Sequence, residues 1–146
     1  MKVVVQRVTK ASVKVDNKIV GQISKGILLL IGVAETDTIE DIDFVADKCV
    51  NLRIFEDEDD KMNRSLLDVG GEVLAISQFT LLGNTKKGRR PSFIEAAHPE
   101  KGEDYYNKFI DRLKSHNVRV SCGIFGAMMD VELMNYGPVT IIVENK

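Results

Sequence analysis

The chain of 146 residues has no tryptophan, only two histidines, two cysteines and three prolines, and its formal net charge is −2. Each scarcity excludes something. Cys49 and Cys122 stand far apart without Cys-x-x-Cys spacing, which leaves no disulfide framework and no zinc site, only two thiols suited to burial. His98 and His116 lack metal-ligand partners at a recognisable spacing and read as helix-end caps or exposed groups. Metal-assisted hydrolysis is therefore short of ligands, and nucleophilic hydrolysis is short of a base. The sequence has no Gly-x-Ser-x-Gly elbow and no glycine-rich phosphate loop before a helix. No apolar run approaches the ~18 residues of a membrane span, and the first residues lack the pattern of a secretion signal. A soluble, cytoplasmic protein without membrane attachment is expected. With so little net charge, any hold on RNA has to come from a local basic patch.

What is present suffices for one domain over residues 1–146 with its own core, 44% of the residues being hydrophobic. Residues 2–9 are valine-rich and residues 11–16 alternate, giving two strands. Asp16-Asn17 turns the chain into a returning arm over residues 18–24, and residues 26–33 form a central strand bounded by glycines. Thr38 and Asp41 have the spacing of a capping box ahead of Ile42, Val45, Cys49 and Leu52, the apolar face of a helix. Residues 56–60 are all acidic, but Lys61 falls where a calcium loop needs a ligand, so they read as a solvated loop. Residues 65–68 and 72–79 flank Gly70-Gly71 as a second hairpin. Pro99 opens a second helix with Tyr106, Phe109, Ile110 and Leu113 on one face and Asn117 as its stop. Strands over 118–122, 126–133 and 139–143 complete the chain. The expected fold is α/β: a curled sheet, mixed or largely antiparallel, with two main helices packed on one side.

Several stretches carry candidate chemistry. Ser77-Gln78-Phe79-Thr80 leaves the apolar run Val73-Leu74-Ala75-Ile76, and its hydrogen-bonding side chains either close a turn on neighbouring backbone or line a site. Asn135-Tyr136-Gly137-Pro138-Val139-Thr140 sets a Gly-Pro pair in a short turn between two strands. Arg7 is a charge inside the first strand, which alone is compatible with a solvent-facing side chain. Lys86, Lys87, Arg89 and Arg90 surround Gly88 with no acid among them; such a loop is either merely solvated or follows a phosphate backbone. Phe125 and Met129 flank an apolar group that is either core or a face for a nucleobase.

The Ser-Gln-Phe-Thr and Asn-x-Gly-Pro-Val-Thr segments together resemble the signature pair of the D-aminoacyl-tRNA deacylases. The likeness extends in order and spacing to the Met-Lys-Val-Val-Val-Gln-Arg-Val opening, to Lys87-Gly88-Arg89-Arg90-Pro91-Ser92-Phe93 and to Phe125-Gly126-Ala127-Met128-Met129. It implies an enzyme without metal or cofactor that hydrolyses the ester of D-aminoacyl-tRNA, and that also clears mischarged glycyl-tRNA(Ala). By resemblance, Ser77, Gln78, Phe79 and Thr80 form the catalytic stretch. Phe125, Gly126, Ala127 and Met129 receive the terminal adenine of the tRNA 3′ end, and Lys86, Lys87, Arg89 and Arg90 hold the RNA. The resemblance also implies a homodimer in which each subunit's Gly137-Pro138, joined by a cis peptide and braced by Arg7, enters the partner's site. There its carbonyls would hold the substrate amino group and exclude L side chains from the site.

Two mechanisms remain open at this level. In one, the vicinal ribose hydroxyl orients water while backbone N–H groups at Phe79 and Thr80 stabilise the oxyanion. In the other, Thr80 is the nucleophile, with no evident base. Two other classes also stand: a non-catalytic RNA-binding module and a structural oligomerisation domain. Release of D-tyrosine from D-tyrosyl-tRNA, with L-tyrosyl-tRNA as control, separates all three.

Overall fold

A computed structural model describes residues 1–145 of the protein. Its first element, β1 (Lys2–Val15), is one strand where two were expected. Thr9 and Lys10 interrupt the apolar pattern and are exposed, yet the backbone stays extended because other strands pair with both of its edges. Asp16 and Asn17, both at positive φ, turn the chain into β2 (Lys18–Ile23), followed by β3 (Gly26–Gly32). The capping box forms as expected: Thr38 Oγ1 accepts from Asp41 N and Asp41 Oδ2 accepts from Thr38 N, opening α1 (Ile39–Asn51). β4 (Phe55–Glu56) and β5 (Met62–Arg64) form a small hairpin whose acidic tip is held by Asp57, which accepts from Asp59 N and Lys61 N.

The second hairpin expected over 65–79 does not form. Ser65 instead makes a second capping box with Asp68 and opens a one-turn helix, α2 (Leu66–Val69). Its Ser-x-x-Asp spacing, a local helix-start signal, outweighed the Gly-Gly pair. β6 (Glu72–Ser77) follows, then a 3-10 turn over Phe79–Leu82, α3 (Pro99–Lys114), β7 (Val120–Cys122) and β8 (Asp130–Glu144). Residues 126–129, expected in a strand, are a loop before β8. Residues 136–138, expected as a turn between two strands, lie within β8 itself.

β1 organises the sheet. One edge carries β3 along residues 2–8 and β2 along residues 11–15, and the other carries β8 over most of its length, all antiparallel. β6 and β7 continue beyond β3 in parallel. The sheet curls until β7 returns to β2, where Ser121 Oγ donates to Gln22 O at 3.2 Å. A Cβ at Gly21 would lie 2.8 Å from Cys122 O, so the near-closure depends on glycine there.

Alternation along β3 separates two cores. Ile27, Leu29 and Ile31 pack with α1 and α3 through Ile42, Val45, Phe109 and Leu113, whereas Leu28 faces the inside of the curl with Val8, Val13, Leu74 and Ile76. Each fully buried Leu or Ile contributes ~1.5–3 kcal/mol on leaving water, so these contacts hold the helices to the sheet. Asp47 joins α1 to α3, accepting from Arg112 Nε and Nη2 at 2.8 and 2.7 Å and lying 2.7 Å from His116 Nε2. His116 thus ties helix to helix rather than capping one. No helix among the described residues is long and apolar enough to cross a membrane.

Candidate active site

Ser77 is the last residue of β6, opposite Ile31 in the register with β3. Gln78 N donates to Ile31 O at 2.8 Å, the ladder ends, and the chain tightens into the 3-10 turn through Leu81 N to Gln78 O at 3.1 Å and Gly83 N to Thr80 O at 3.0 Å. The N–H groups of Phe79 and Thr80 open this turn, at positions that have no partner inside it. Gln78 Nε2 donates to Thr80 Oγ1. The end of a buried strand therefore delivers backbone donors and polar side chains to one place.

That place borders an open cleft of about 680 Å³. Ser77, Gln78 and Phe79 line it from the strand end, and Phe125, Gly126, Ala127 and Met129 from the loop between β7 and β8. Its lining is mostly apolar with a few convergent polar groups, the usual character of a small-ligand site. The Phe79 and Phe93 rings meet edge to face at 5.3 Å, and the Phe125 ring lies 6.2 Å from that of Tyr106. Tyr106 Oη donates to Ala75 O at 2.9 Å, and burial pushes its pKa up, so it stays protonated beneath the cleft floor. His98 stands at the mouth with its side chain 86% exposed and its Nε2 3.7 Å from Glu35 Oε1. Among the described residues, no group of three or more His, Cys, Asp or Glu is placed to hold a metal ion.

The basic loop leaves the 3-10 turn and returns as part of the cleft wall. Asn84 and Ser92 close its neck with paired backbone hydrogen bonds of 2.8 and 2.9 Å, and Lys86, Lys87, Arg89 and Arg90 are all exposed beyond it. Phe93 and Ile94 follow directly and line the cleft.

Arg7 is buried, not solvent-facing. Its Nε donates to Tyr136 O at 3.1 Å, its Nη1 to Ile54 O at 2.7 Å, and the same nitrogen lies 3.3 Å from Glu56 Oε1. The guanidinium also lies over the Tyr136 ring, 5.0 Å from its centroid. The adjoining Gly137–Pro138 peptide is cis, as the resemblance implied. Gly137 has φ +116°, and a Cβ there would come within 2.4 Å of Arg7 Nη2, so neither backbone nor space admits another residue unchanged. Gly137 and Pro138 are exposed and do not line the cleft of their own chain.

The profile described as D-Tyr-tRNA(Tyr) deacylase matches residues 4–144. The chain belongs to this family of hydrolases. A D-aminoacyl-tRNA deacylase of Clostridium acetobutylicum is 56% identical over 146 residues, covering 100% of this chain and 98% of that one. One from Sulfurihydrogenibium sp. is 59% identical over 143 residues, covering 98% and 97%. Among solved structures, a protein described as c-Myc DNA Unwinding Element Binding Protein matches with a TM-score of 0.93 at 42% identity, covering 99% and 98%. A probable eukaryotic D-amino acid tRNA deacylase matches with a TM-score of 0.86 at 19% identity over 98% of each chain, which speaks for the fold alone.

Within this D-Tyr-tRNA(Tyr) deacylase fold, Ser77 to Phe79 and the Phe125–Met129 loop come together across one cleft, with Thr80 on the adjoining turn. Arg7 and Gly137-Pro138 gather elsewhere, around the bulge in β8. Sequence reasoning missed Ile94 and His98 at the mouth. For Ile94 the sequence offers only its place just after the basic loop, and its 85% exposure is a property of the fold. His98 offered none, because its place depends on how α3 meets the sheet.

Proposed function

We propose that this protein hydrolyses the ester bond of D-aminoacyl-tRNA, releasing D-amino acid and tRNA, and so proofreads chirality in the cytoplasm. The observation that carries the proposal is the position of the Ser77–Thr80 stretch, with its backbone donors, against the Phe125–Met129 loop across one small-ligand cleft. The apolar loop takes the terminal adenine, which brings the ester to the strand end. The vicinal ribose hydroxyl orients the attacking water, and the N–H groups of Phe79 and Thr80 stabilise the oxyanion. Gln78 holds Thr80 rather than acting as an acid or base. Neither metal nor cofactor enters this scheme.

Handedness requires a second subunit. Gly137 and Pro138 are exposed at a bulge of β8, whose outer edge pairs with no other strand among the described residues and carries exposed Met134, Tyr136 and Ile142. A long free edge with apolar side chains suits two-fold pairing, which would carry each Gly-Pro into the other chain's cleft. There its carbonyls hold the substrate amino group, a D side chain points outward, and an L side chain meets main chain. Glycine has no side chain to exclude, so glycyl-tRNA(Ala) is a substrate as well.

The test is hydrolysis of D-tyrosyl-tRNA with L-tyrosyl-tRNA as control. Turnover of the D ester with the L ester spared supports the proposal, and an unchanged half-life of both esters overturns it. The relative described as a DNA unwinding element binding protein, together with the exposed basic loop, favours one other function, nucleic-acid binding without hydrolysis. Gel-shift affinity for uncharged RNA or DNA, combined with inert esters, would establish that instead.

A further inference from the structure

The Gly137–Pro138 bulge is held from two sides, and only the Arg7 side was expected. Between Gln6↔Thr140 and Val8↔Asn135, β1 advances two residues while β8 advances five, so β8 bulges and Arg7 has no partner residue in that register. The side chain of Asn135 fills the gap. Its Nδ2 donates to Arg7 O at 3.0 Å and to Val139 O at 2.9 Å, which joins β1 to the far end of the bulge. Its Oδ1 accepts from Thr140 Oγ1 at 3.2 Å, and Thr140 Oγ1 accepts from Gln6 Nε2 at 3.3 Å.

The orientation of this chain of hydrogen bonds has no alternative. Carbonyl oxygens can only accept, so the amide nitrogen must face Arg7 O and Val139 O, and the oxygen must face the hydroxyl. An aspartate would set a carboxylate against two carbonyls. Alanine would leave both carbonyls without this donor, and serine is too short to span them.

We propose that Asn135 is a positioning residue for chirality selection. With Thr140 and Gln6 behind it, it fixes the base of the bulge so that the Gly137 and Pro138 carbonyls keep one direction, while Arg7 fixes the tip through Tyr136 O. This rests on the reading that Gly137-Pro138 discriminates D from L substrate. It adds that rigidity of the bulge, and not only the presence of the Gly-Pro pair, determines the selectivity.

The test compares kcat/KM for D-tyrosyl-tRNA and L-tyrosyl-tRNA in five proteins: wild type, Asn135→Ala, Thr140→Val, Thr140→Ser and Gly137→Ala. Loss of a hydrogen bond to a partly buried acceptor gives the scale: the D/L ratio should fall about tenfold in Asn135→Ala and about threefold in Thr140→Val. Thr140→Ser, which keeps the hydroxyl, should restore the wild-type ratio. A purely structural role would lower the melting temperature without changing the ratio, and that result overturns the proposal. If Gly137→Ala lowers the ratio while Asn135→Ala and Thr140→Val do not, the positioning role falls and the Gly-Pro reading survives. If none of the variants changes it, both fall. Should Asn135→Ala fail to fold, the two exposed-site Thr140 variants decide alone, and equal ratios in Val and Ser count against the proposal.

Discussion

At the scale of single residues, Thr80 and Arg7 give contrasting expectations. Thr80 Oγ1 accepts from Gln78 Nε2, and among the described residues no imidazole or carboxylate hydrogen-bonds to it. Thr80→Ala should therefore keep measurable hydrolysis of D-tyrosyl-tRNA; a near-complete loss together with a trappable acyl-enzyme would make it the nucleophile. Arg7 is buried with two carbonyls and a carboxylate around its guanidinium. Arg7→Ala leaves these partners without their donor and should cost about 2–4 kcal/mol in denaturant unfolding, with loss of D/L discrimination in the fraction that remains folded. Asp47 should contribute modestly to acid stability. The Arg112 guanidinium, opposed by partial burial and reinforced by His116, holds its carboxyl at about 2. A depressed carboxyl stabilises the fold above its unfolded value and loses that contribution as pH falls through its folded value. Between pH ~4 and ~2 the melting temperature of the wild type should fall more steeply than that of Asp47→Asn. Asp47 is a third exposed, so the difference should stay below about 1 kcal/mol.

At the scale of elements, the basic loop should act on binding and not on chemistry. Its neck is fixed by the Asn84–Ser92 pair, and its four cations stand outside the cleft. Replacing Lys86, Lys87, Arg89 and Arg90 with alanine should raise KM for D-aminoacyl-tRNA and leave kcat nearly unchanged. The slope of log affinity against log salt should flatten by up to about 3, as for four fewer phosphate contacts on a single strand. An unchanged slope would mean that the loop is only solvated. Helix α3 has a different dependence. Phe109 and Leu113 are fully buried, so Phe109→Ala should destabilise by ~3–5 kcal/mol and loosen the cleft through Tyr106 and Phe125.

At the scale of the molecule, one chain holds the cleft and the Gly-Pro bulge in different places, so subunit exchange tests how they meet. Ala127→Trp fills the cleft, and Gly137→Val crowds Arg7. In the proposed two-fold dimer, neither variant by itself should hydrolyse the D ester selectively. Mixed after exchange, half of the dimers would combine one intact cleft with one intact bulge, returning about a quarter of the wild-type sites. No recovery on mixing, or a fully active and selective monomer in light scattering, would refute the shared site.

Much of this was determined by the sequence alone, because the signals are local. The Thr38–Asp41 capping box, the Asp16-Asn17 turn, the apolar spacing of both main helices and the polar exit of β6 each depend on residues within a few positions of one another. The two motif segments likewise identified the family before any geometry was known. Gly70-Gly71 has the form of a hairpin turn, but the equally local Ser65–Asp68 box starts a helix just before it, so no hairpin spans 65–79. Tertiary structure alone decided the rest. Whether β1 breaks at Thr9-Lys10 depends on β2, β3 and β8 pairing with it, and those partners are as much as 142 residues away, as in Lys2↔Glu144. The same holds for Arg7, whose burial follows from carbonyls at Ile54 and Tyr136, and for His98, brought to the cleft mouth by the seating of α3. The bulge that carries Gly137-Pro138 also has this origin, since it arises from a mismatch of two residues against five between β1 and β8. A register shift of that kind exists only once both strands are in place.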